Sequence, residues 1–279
     1  MRNIAFSSAG KMNLSGTLRS FLFRYGLGLA LLLAWQLAAM HAESIFFPTP
    51  WQILLRAADL WLSGPPQHLF LADGVFADIL PSLGRLLLGW SAAIAIGITF
   101  GILIGRSRIF SDLLDPSLQF LRAIPGPALI PIFIILLGTE TTMRVTLIAF
   151  GSVWPVLLNT IEGVRTVDPL QLDTARAFRL PPLARLTRVI LPAATPKIFA
   201  GIRVSLSLAI ILMVVSELVA STNGIGYRIL TSQIMLLLTE MWSAILLLAA
   251  LGLTLNAMLE RIERSVLRWH RGARQRTES

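Results

Sequence analysis

The residues of this chain that could do chemistry do not assemble into a catalytic set. Nucleotide binding of the P-loop kind needs Gly-x-x-x-x-Gly-Lys-Ser/Thr, whose backbone amides and lysine hold the phosphates. Only two lysines exist: Lys11 follows Gly10 but precedes Met12 and has Ala5 at the first glycine position, and Lys197 follows Pro196. The three histidines, His41, His68 and His270, are dispersed and lack the His-x-x-x-His spacing of a metal hydrolase. No Gly-x-Ser-x-Gly elbow occurs. With no cysteine, thiol catalysis, disulfides and zinc-thiolate sites are excluded. The sequence therefore offers no catalytic residues, no metal site and no cofactor site, and the chain is expected not to be an enzyme.

What remains is a polar, basic segment from Glu162 to Ala200 between two apolar stretches. Its middle reads Asp173-Thr174-Ala175-Arg176-Ala177-Phe178-Arg179-Leu180, and it closes on Leu191-Pro192-Ala193-Ala194-Thr195-Pro196. Leu172, Ala175 and Phe178 recur every three residues, with Asp173, Arg176 and Arg179 pointing elsewhere, which predicts a short helix with one apolar stripe. Pro181-Pro182 breaks it, because the residue before a proline avoids the helical region. A second helix starts with Pro182 in its first turn, turns Leu183, Leu186 and Val189 inward and Arg185 and Arg188 outward, and is expected to stop at Pro192.

The elements that position this segment follow from composition. At 55% hydrophobic and 14% charged residues, with a mean hydropathy of +0.72, the chain is far more apolar than soluble domains, which run at about 45–50% apolar and about 25% charged. It reads as an all-α integral membrane protein of about six spans, each needing about 20 residues. Residues 1–20 form a loose tail, 21–260 the membrane domain with the polar loop at 162–200, and 261–279 a basic tail. Spans are expected at 21–40, 83–105, 118–137, 143–161, 201–220 and 241–259. The first is read as an uncleaved anchor rather than a signal peptide cut at Ala42, because its leader is long. Pro48 to Gly64 carries Trp51, Leu54, Leu55, Ala58 and Trp61 at helical spacing and reads as an amphipathic helix at the membrane surface. Gly97, Gly101 and Gly105 share one face of span two and invite close approach of another helix. Pro125, Pro127 and Pro131 require the first half of span three to be kinked or unwound, and Pro155 interrupts span four.

A net charge of +9 does not point to nucleic acid, because the arginines lie in loops beside spans, where they set orientation. Twenty of the 24 basic residues fall in the amino-terminal tail and start of span one, in 106–122, in 165–203 and in 261–276. Only Arg56, Arg85, Arg144 and Arg228 fall on the other side. Both termini and the polar loop are therefore expected to be cytoplasmic.

Asp173-x-Ala175, Leu191-Pro192-Ala193-Ala194-x-Pro196 and Gly201-x-Arg203 resemble the coupling-loop motif of the membrane-spanning subunits of ATP-binding-cassette importers. Further matches are Ser82-Leu83-x-Arg85 with Gly89, Leu121-Arg122-x-Ile124-Pro125-x-x-Ala128-x-x-Pro131, Trp154-Pro155 with Asn159-Thr160 and Gly163-Val164, and Glu217 with Gly224-Ile225-Gly226-Tyr227. The set is similar to the nitrate, sulfonate, taurine and bicarbonate branch and covers roughly residues 45 to 260. The family motif has Glu where Asp173 stands, Ala where Thr174 stands and Gly where Arg179 stands. The turn after the helix is then either made by Pro181-Pro182 or left altered for contact with the partner.

The resemblance implies a type I ABC importer transmembrane-domain architecture, a homodimer with a pore between subunits and alternating access. It also implies a cytoplasmic ABC ATPase subunit and a periplasmic or extracellular solute-binding protein as partners. The residues it marks for ATPase coupling are Asp173, Ala175, Arg176, Phe178, Arg179, Pro192 and Pro196. Pro125 and Pro131 are candidates for a gate hinge or a static kink. Asn159, Ser205 and Ser207 either line a polar path or tie helices together. An acid at a membrane helix centre costs about 2.5–3.5 kcal/mol on insertion scales, so Glu217 is read as a hydrogen-bonding residue near the outer gate or as a solute contact. The rival reading, a stand-alone secondary transporter, needs an internal repeat and several intramembrane ionisable residues, and neither is visible.

Overall fold

The computed structural model describes residues 14–68 and 70–268, and every element among them is helical. Residues 1–13, His270 and the end of the basic tail lie outside the described residues. The chain runs α1 (Leu14–Ala42), α2 (Pro50–Trp61), α3 (Leu80–Arg106), α4 (Arg108–Ala123), α5 (Ile130–Leu137), α6 (Thr141–Arg165), α7 (Pro169–Ala177), α8 (Pro182–Arg185), α9 (Leu191–Ala220), α10 (Ile225–Ile234) and α11 (Leu238–Val266). Among the described residues, four helical stretches are long and apolar enough to cross a membrane: Val75–Arg106, Thr141–Arg165, Pro182–Ala220 and Leu238–Val266. The bent pair Ile109–Ala123 and Gly126–Leu137 makes a fifth if counted as one span, and α1 adds the shorter apolar stretch Gly26–Ala42.

The centre is a packed row of α3, α6 and α9, and small residues set its spacing. A Cβ on Gly97 would sit 2.8 Å from Val156 Cβ, and one on Gly101 would sit 2.5 Å from Thr160 Cβ. Glycine at these positions lets α3 lie against α6, as the four-residue spacing predicts. On the other side of α6, Gly201 of α9 fits against the Pro155 carbonyl, where a Cβ would come within 2.6 Å. Val156, Ile198, Ile202 and Leu206 fill the space between these helices. Ser205 Oγ donates to Ser152 O at 2.7 Å, joining α9 to α6. Asn159 Nδ2 instead donates to Pro155 O of its own helix at 2.8 Å.

Three expected elements differ from the structure. Pro155 does not interrupt span four, since α6 runs unbroken from Thr141 to Arg165, whereas span three is unwound at its prolines as expected: α4 ends at Ala123, a 3₁₀ turn spans Gly126–Leu129, and the two halves meet at 85°. Three prolines within seven residues remove too many backbone donors for one axis to continue. Pro192 does not stop a helix. A π-turn (Leu186–Ile190) leads from α8 straight into α9, with Pro192 in its first turn, where a missing N–H is tolerated. Helix is therefore continuous from Pro182 to Ala220, 39 residues.

The third difference concerns α2. Its start is fixed by a capping box in which Gln52 N donates to Thr49 Oγ1 at 3.2 Å and Thr49 N donates to Gln52 Oε1 at 3.0 Å. Only Ile53 and Trp61 are buried, and Ser243 of α11 donates to Ile53 O at 3.0 Å. Trp51, Leu54 and Leu55 face outward, so the apolar stripe read from the sequence is divided between α11 and the surroundings.

Candidate functional site

The two ends of α9 carry the residues singled out in the sequence, and they are built in opposite ways. At the α10 end, Glu217 is fully buried, and both its oxygens are used. Arg85 Nη1 donates to Oε1 at 2.6 Å, Ser82 Oγ lies 2.8 Å from each oxygen, and Gly226 N donates to Oε2 at 3.0 Å. Ser82 Oγ in turn accepts from Ile225 N at 2.9 Å. Arg85 also donates to the carbonyl of Asn223 at 3.2 Å and to its side-chain oxygen. The sequence permits this only because of its glycines. Gly224 has φ +111°, and a Cβ there would lie 2.6 Å from the Glu217 carboxylate; a side chain would be strained and would also displace the acid.

This cluster joins three elements far apart in sequence: α3 through Ser82 and Arg85, the end of α9 through Glu217, and the start of α10. A buried carboxylate needs such partners, since an unpaired charge in low dielectric is very costly. Beside it Arg144 of α6 is buried and donates to Thr139 O at 2.8 Å and to Ala220 O at the last turn of α9. A second chain of charges binds the neighbouring elements: Arg228 of α10 meets Asp78 at 2.8 Å and Glu240 of α11 at 3.6 Å, and Glu240 also pairs with Arg56 of α2. All four arginines that sequence counting set apart from the rest, Arg56, Arg85, Arg144 and Arg228, are thus committed to fixed partners. The expectation that several intramembrane ionisable residues are not visible missed Arg85 as the partner of Glu217, although Ser82 and Arg85 sit three apart on an apolar helix and so share a face.

At the other end of the continuous helix, α7 stands out on the loop. Asp168 caps it by accepting from Leu170 N at 2.8 Å, and Pro169 takes the first position. Asp173 and Arg176 pair at 2.7 Å across one turn, both exposed. Ala175 is buried, as the stripe predicts, but Phe178 is not: it is 78% exposed, as are Leu170 at 72% and Leu183 at 71%. Phe178 leaves the stripe because it is the helix cap, where the chain turns away. Arg185, expected outside, is half-buried, with its Nε buried and without a hydrogen-bond partner.

The turn after α7 is made by Arg179 itself and not by Pro181-Pro182. Arg179 has φ +51°, its N–H donates to Arg176 O at 2.8 Å and Leu180 N donates to Ala175 O at 3.0 Å. These two bonds form a complete Schellman motif, the ending for which glycine is the usual residue. A turn that glycine makes without strain is thus made here with arginine in the left-handed position. Farther on, Pro192 and Pro196 lie in the first turns of α9, where Thr195 Oγ1 donates to Leu191 O at 2.7 Å. Pro125 and Pro131 flank the break between α4 and α5, and Leu212 of α9 abuts Gly126 there, 2.9 Å from where its Cβ would be.

A row of apolar helices with a fully paired ionic cluster at one end and a projecting loop helix at the other defines a multi-pass membrane protein without catalytic machinery among the described residues. Residues 97–268 match the family of binding-protein-dependent transport system inner membrane components, and the chain belongs to it. A Bacillus subtilis (strain 168) permease, SsuC, named for aliphatic sulfonates transport, is 35% identical over 222 residues, covering 80% of this chain and 77% of its own. The bicarbonate transport system permease CmpB of Synechococcus elongatus is 35% identical, covering 71% and 72%. The nitrate import permease NrtB of Synechocystis is 31% identical, covering 85% and 86%. In structure the chain is similar to a chain of an inward-facing MetNI methionine ABC transporter, with a TM-score of 0.58, 18% identity and coverage of 70% of this chain and 94% of that one. The chain is therefore a permease subunit of an ATP-driven importer in the inner membrane and not an enzyme, and a permease of this kind works with an ATPase and a binding protein.

Proposed function

We propose that this permease imports a small organic or inorganic anion, of the sulfonate, taurine, nitrate or bicarbonate kind, as a homodimer whose pore lies between the subunits. The termini and the α7 loop face the cytoplasm, consistent with the clustering of basic residues beside them. Two ATPase subunits grip the two copies of the loop around Asp173 to Leu191, and a solute-binding protein delivers the anion at the face holding Glu217.

One observation carries the mechanical reading: unbroken helix from Pro182 to Ala220 links the projecting loop to the Glu217 cluster. At about 1.5 Å per residue such a helix is about 58 Å long, enough to carry a displacement of α7 through the bilayer as a rigid-body motion. Leu170, Phe178 and Leu183 form the apolar part of the ATPase contact. Arg176, Arg179 and Arg188 form its cationic rim. Ala175 anchors α7 to the loop, while Pro192 and Pro196 shape the root of α9. Glu217 holds the outer ends of α3, α9 and α10 in one unit and does not touch the anion, because its oxygens are already occupied. Ser205 ties α9 to α6, and the Pro125–Pro131 break gives the gate its bend.

The test is reconstitution of the permease in proteoliposomes with the cognate ATPase and binding protein, followed by uptake of labelled sulfonate, nitrate and bicarbonate. Uptake that requires ATP and both partners is expected. Uptake driven by an ion gradient without the ATPase overturns the reading in favour of a secondary transporter.

A further inference from the structure

A cleft of about 750 Å³ opens where the ends of α3 and α6 meet α4 and the α7–α8 loop. Its walls carry Arg106, Arg165, Arg176 and Arg185, against Asp112 and Asp115 of α4. With Arg176 taken up by Asp173, three guanidiniums face two carboxylates and leave a small positive excess. Neither Asp112 nor Asp115 forms an ion pair with these arginines among the described residues: Asp115 accepts from Ser111 Oγ at 3.4 Å and Arg165 donates to the same hydroxyl. Arg185 keeps a buried Nε without a partner, and Arg106 forms no ion pair among the described residues.

A guanidinium presents five donors in a planar fork that matches two oxygens of a phosphate. Arg106 has no ion pair among the described residues and Arg165 is held only by a hydroxyl, so the cleft is short of an anion with several oxygens. Its position narrows the class further. Gly105 and Arg106 end one membrane helix, and Val164 and Arg165 end another, which sets the cleft at the level of lipid head groups. Basic pockets between helices at that level suit anionic head groups.

We propose that the cleft binds a phosphate group, carried by an anionic phospholipid or present as the free ion, between the guanidiniums of Arg106, Arg165 and Arg185. The bound phosphate bridges the ends of α3 and α6 to the loop bearing α7 and steadies the loop against the membrane. Asp112 and Asp115 confine the anion to the arginine wall. The site does not depend on α7 docking to an ATPase, and its test uses the full-length permease alone.

Permease in nanodiscs is assayed by native mass spectrometry for retained phosphatidylglycerol against phosphatidylcholine, and in detergent by thermal shift with inorganic phosphate. Selective retention of phosphatidylglycerol, protection by inorganic phosphate, or both is expected of the wild type; the first alone assigns the lipid as the source, and the second assigns the free ion. The double variant Arg106→Gln, Arg185→Gln is expected to lose at least about tenfold in affinity, at about 1 kcal/mol per basic residue. Arg261→Gln, on the exposed last turns of α11, is expected to bind as the wild type does. Should the double variant not fold, Arg106→Gln alone, at an exposed and unpaired position, is expected to lose about fivefold. Unchanged binding in the cleft variants, an equal loss in Arg261→Gln, or no binding of either probe overturns the proposal.

Discussion

The two ends of the long helix formed by α8, the π-turn and α9 differ in what they leave unsatisfied. Around Glu217 every charge has a partner inside the chain, and glycines at 224 and 226 let the backbone close over the acid. Around α7, bulky apolar side chains stand exposed, and Arg179 holds a left-handed turn that glycine would make without strain. Self-sufficiency at one end and open valences at the other are what a lever needs: a fixed head, and a foot shaped for another protein.

The largest effect should come from breaking the closed end. Glu217→Ala leaves Arg85 buried and unpaired and is expected to cost about 3–5 kcal/mol, read as a fall in melting temperature in detergent. Replacing both partners, Arg85→Met with Glu217→Leu, should recover most of that loss, since a buried pair can be exchanged for packed apolar groups. A single variant that melts like the wild type would remove the clamp from the account.

Gly224→Ala comes next. Its Cβ must fit beside the Glu217 carboxylate at a backbone angle that disfavours it, and a loss of about 1–3 kcal/mol is expected, with weaker hydrogen-exchange protection at Ile225 and Gly226. At the open end the sign reverses. Arg179→Gly relieves the left-handed strain and should stabilise the loop by about 1 kcal/mol, seen as slower exchange of the Leu180 amide, while removing one cation from the proposed docking rim. Equal exchange in both proteins would mean that the turn is not strained. The smallest effect belongs to Asp173→Asn, which loses an exposed pair and should shift stability by less than about 0.5 kcal/mol.

The open end was the more legible one, and the reason is physical. The α7 loop is local: Asp168, Pro169, the recurring apolar positions and the cap lie within a dozen residues, so periodicity locates the helix. Its outcome escaped where local strain was in question, at Arg179, where a terminal residue left its stripe, at Phe178, and in the single turn of α8, too short to hold a face, where Leu183 stands exposed and Arg185 is half-buried. The glycine stripe of α3 was equally readable, because four-residue spacing specifies one helix face wherever the partner lies. The closed end is long-range. Arg85 and Glu217 are 132 positions apart, and no spacing rule connects them. The four arginines that defied the charge asymmetry were the available sign, for a cation on the sparsely basic side needs a local reason to be there. Helix continuity through Pro192 was also hidden, because a π-turn shifts the hydrogen bonds that a proline would otherwise interrupt.

The most direct test of the lever uses Phe178→Ser. Phe178 is 78% exposed, so its removal should leave folding, membrane insertion and melting temperature as they are. The measurement is ATP hydrolysis by the reconstituted complex, stimulated by the loaded binding protein. The account predicts that the variant co-purifies poorly with the ATPase and loses at least about tenfold of the stimulated rate, in line with the loss of an aromatic anchor worth about 2 kcal/mol at an interface. Wild-type assembly and a wild-type stimulated rate would contradict it.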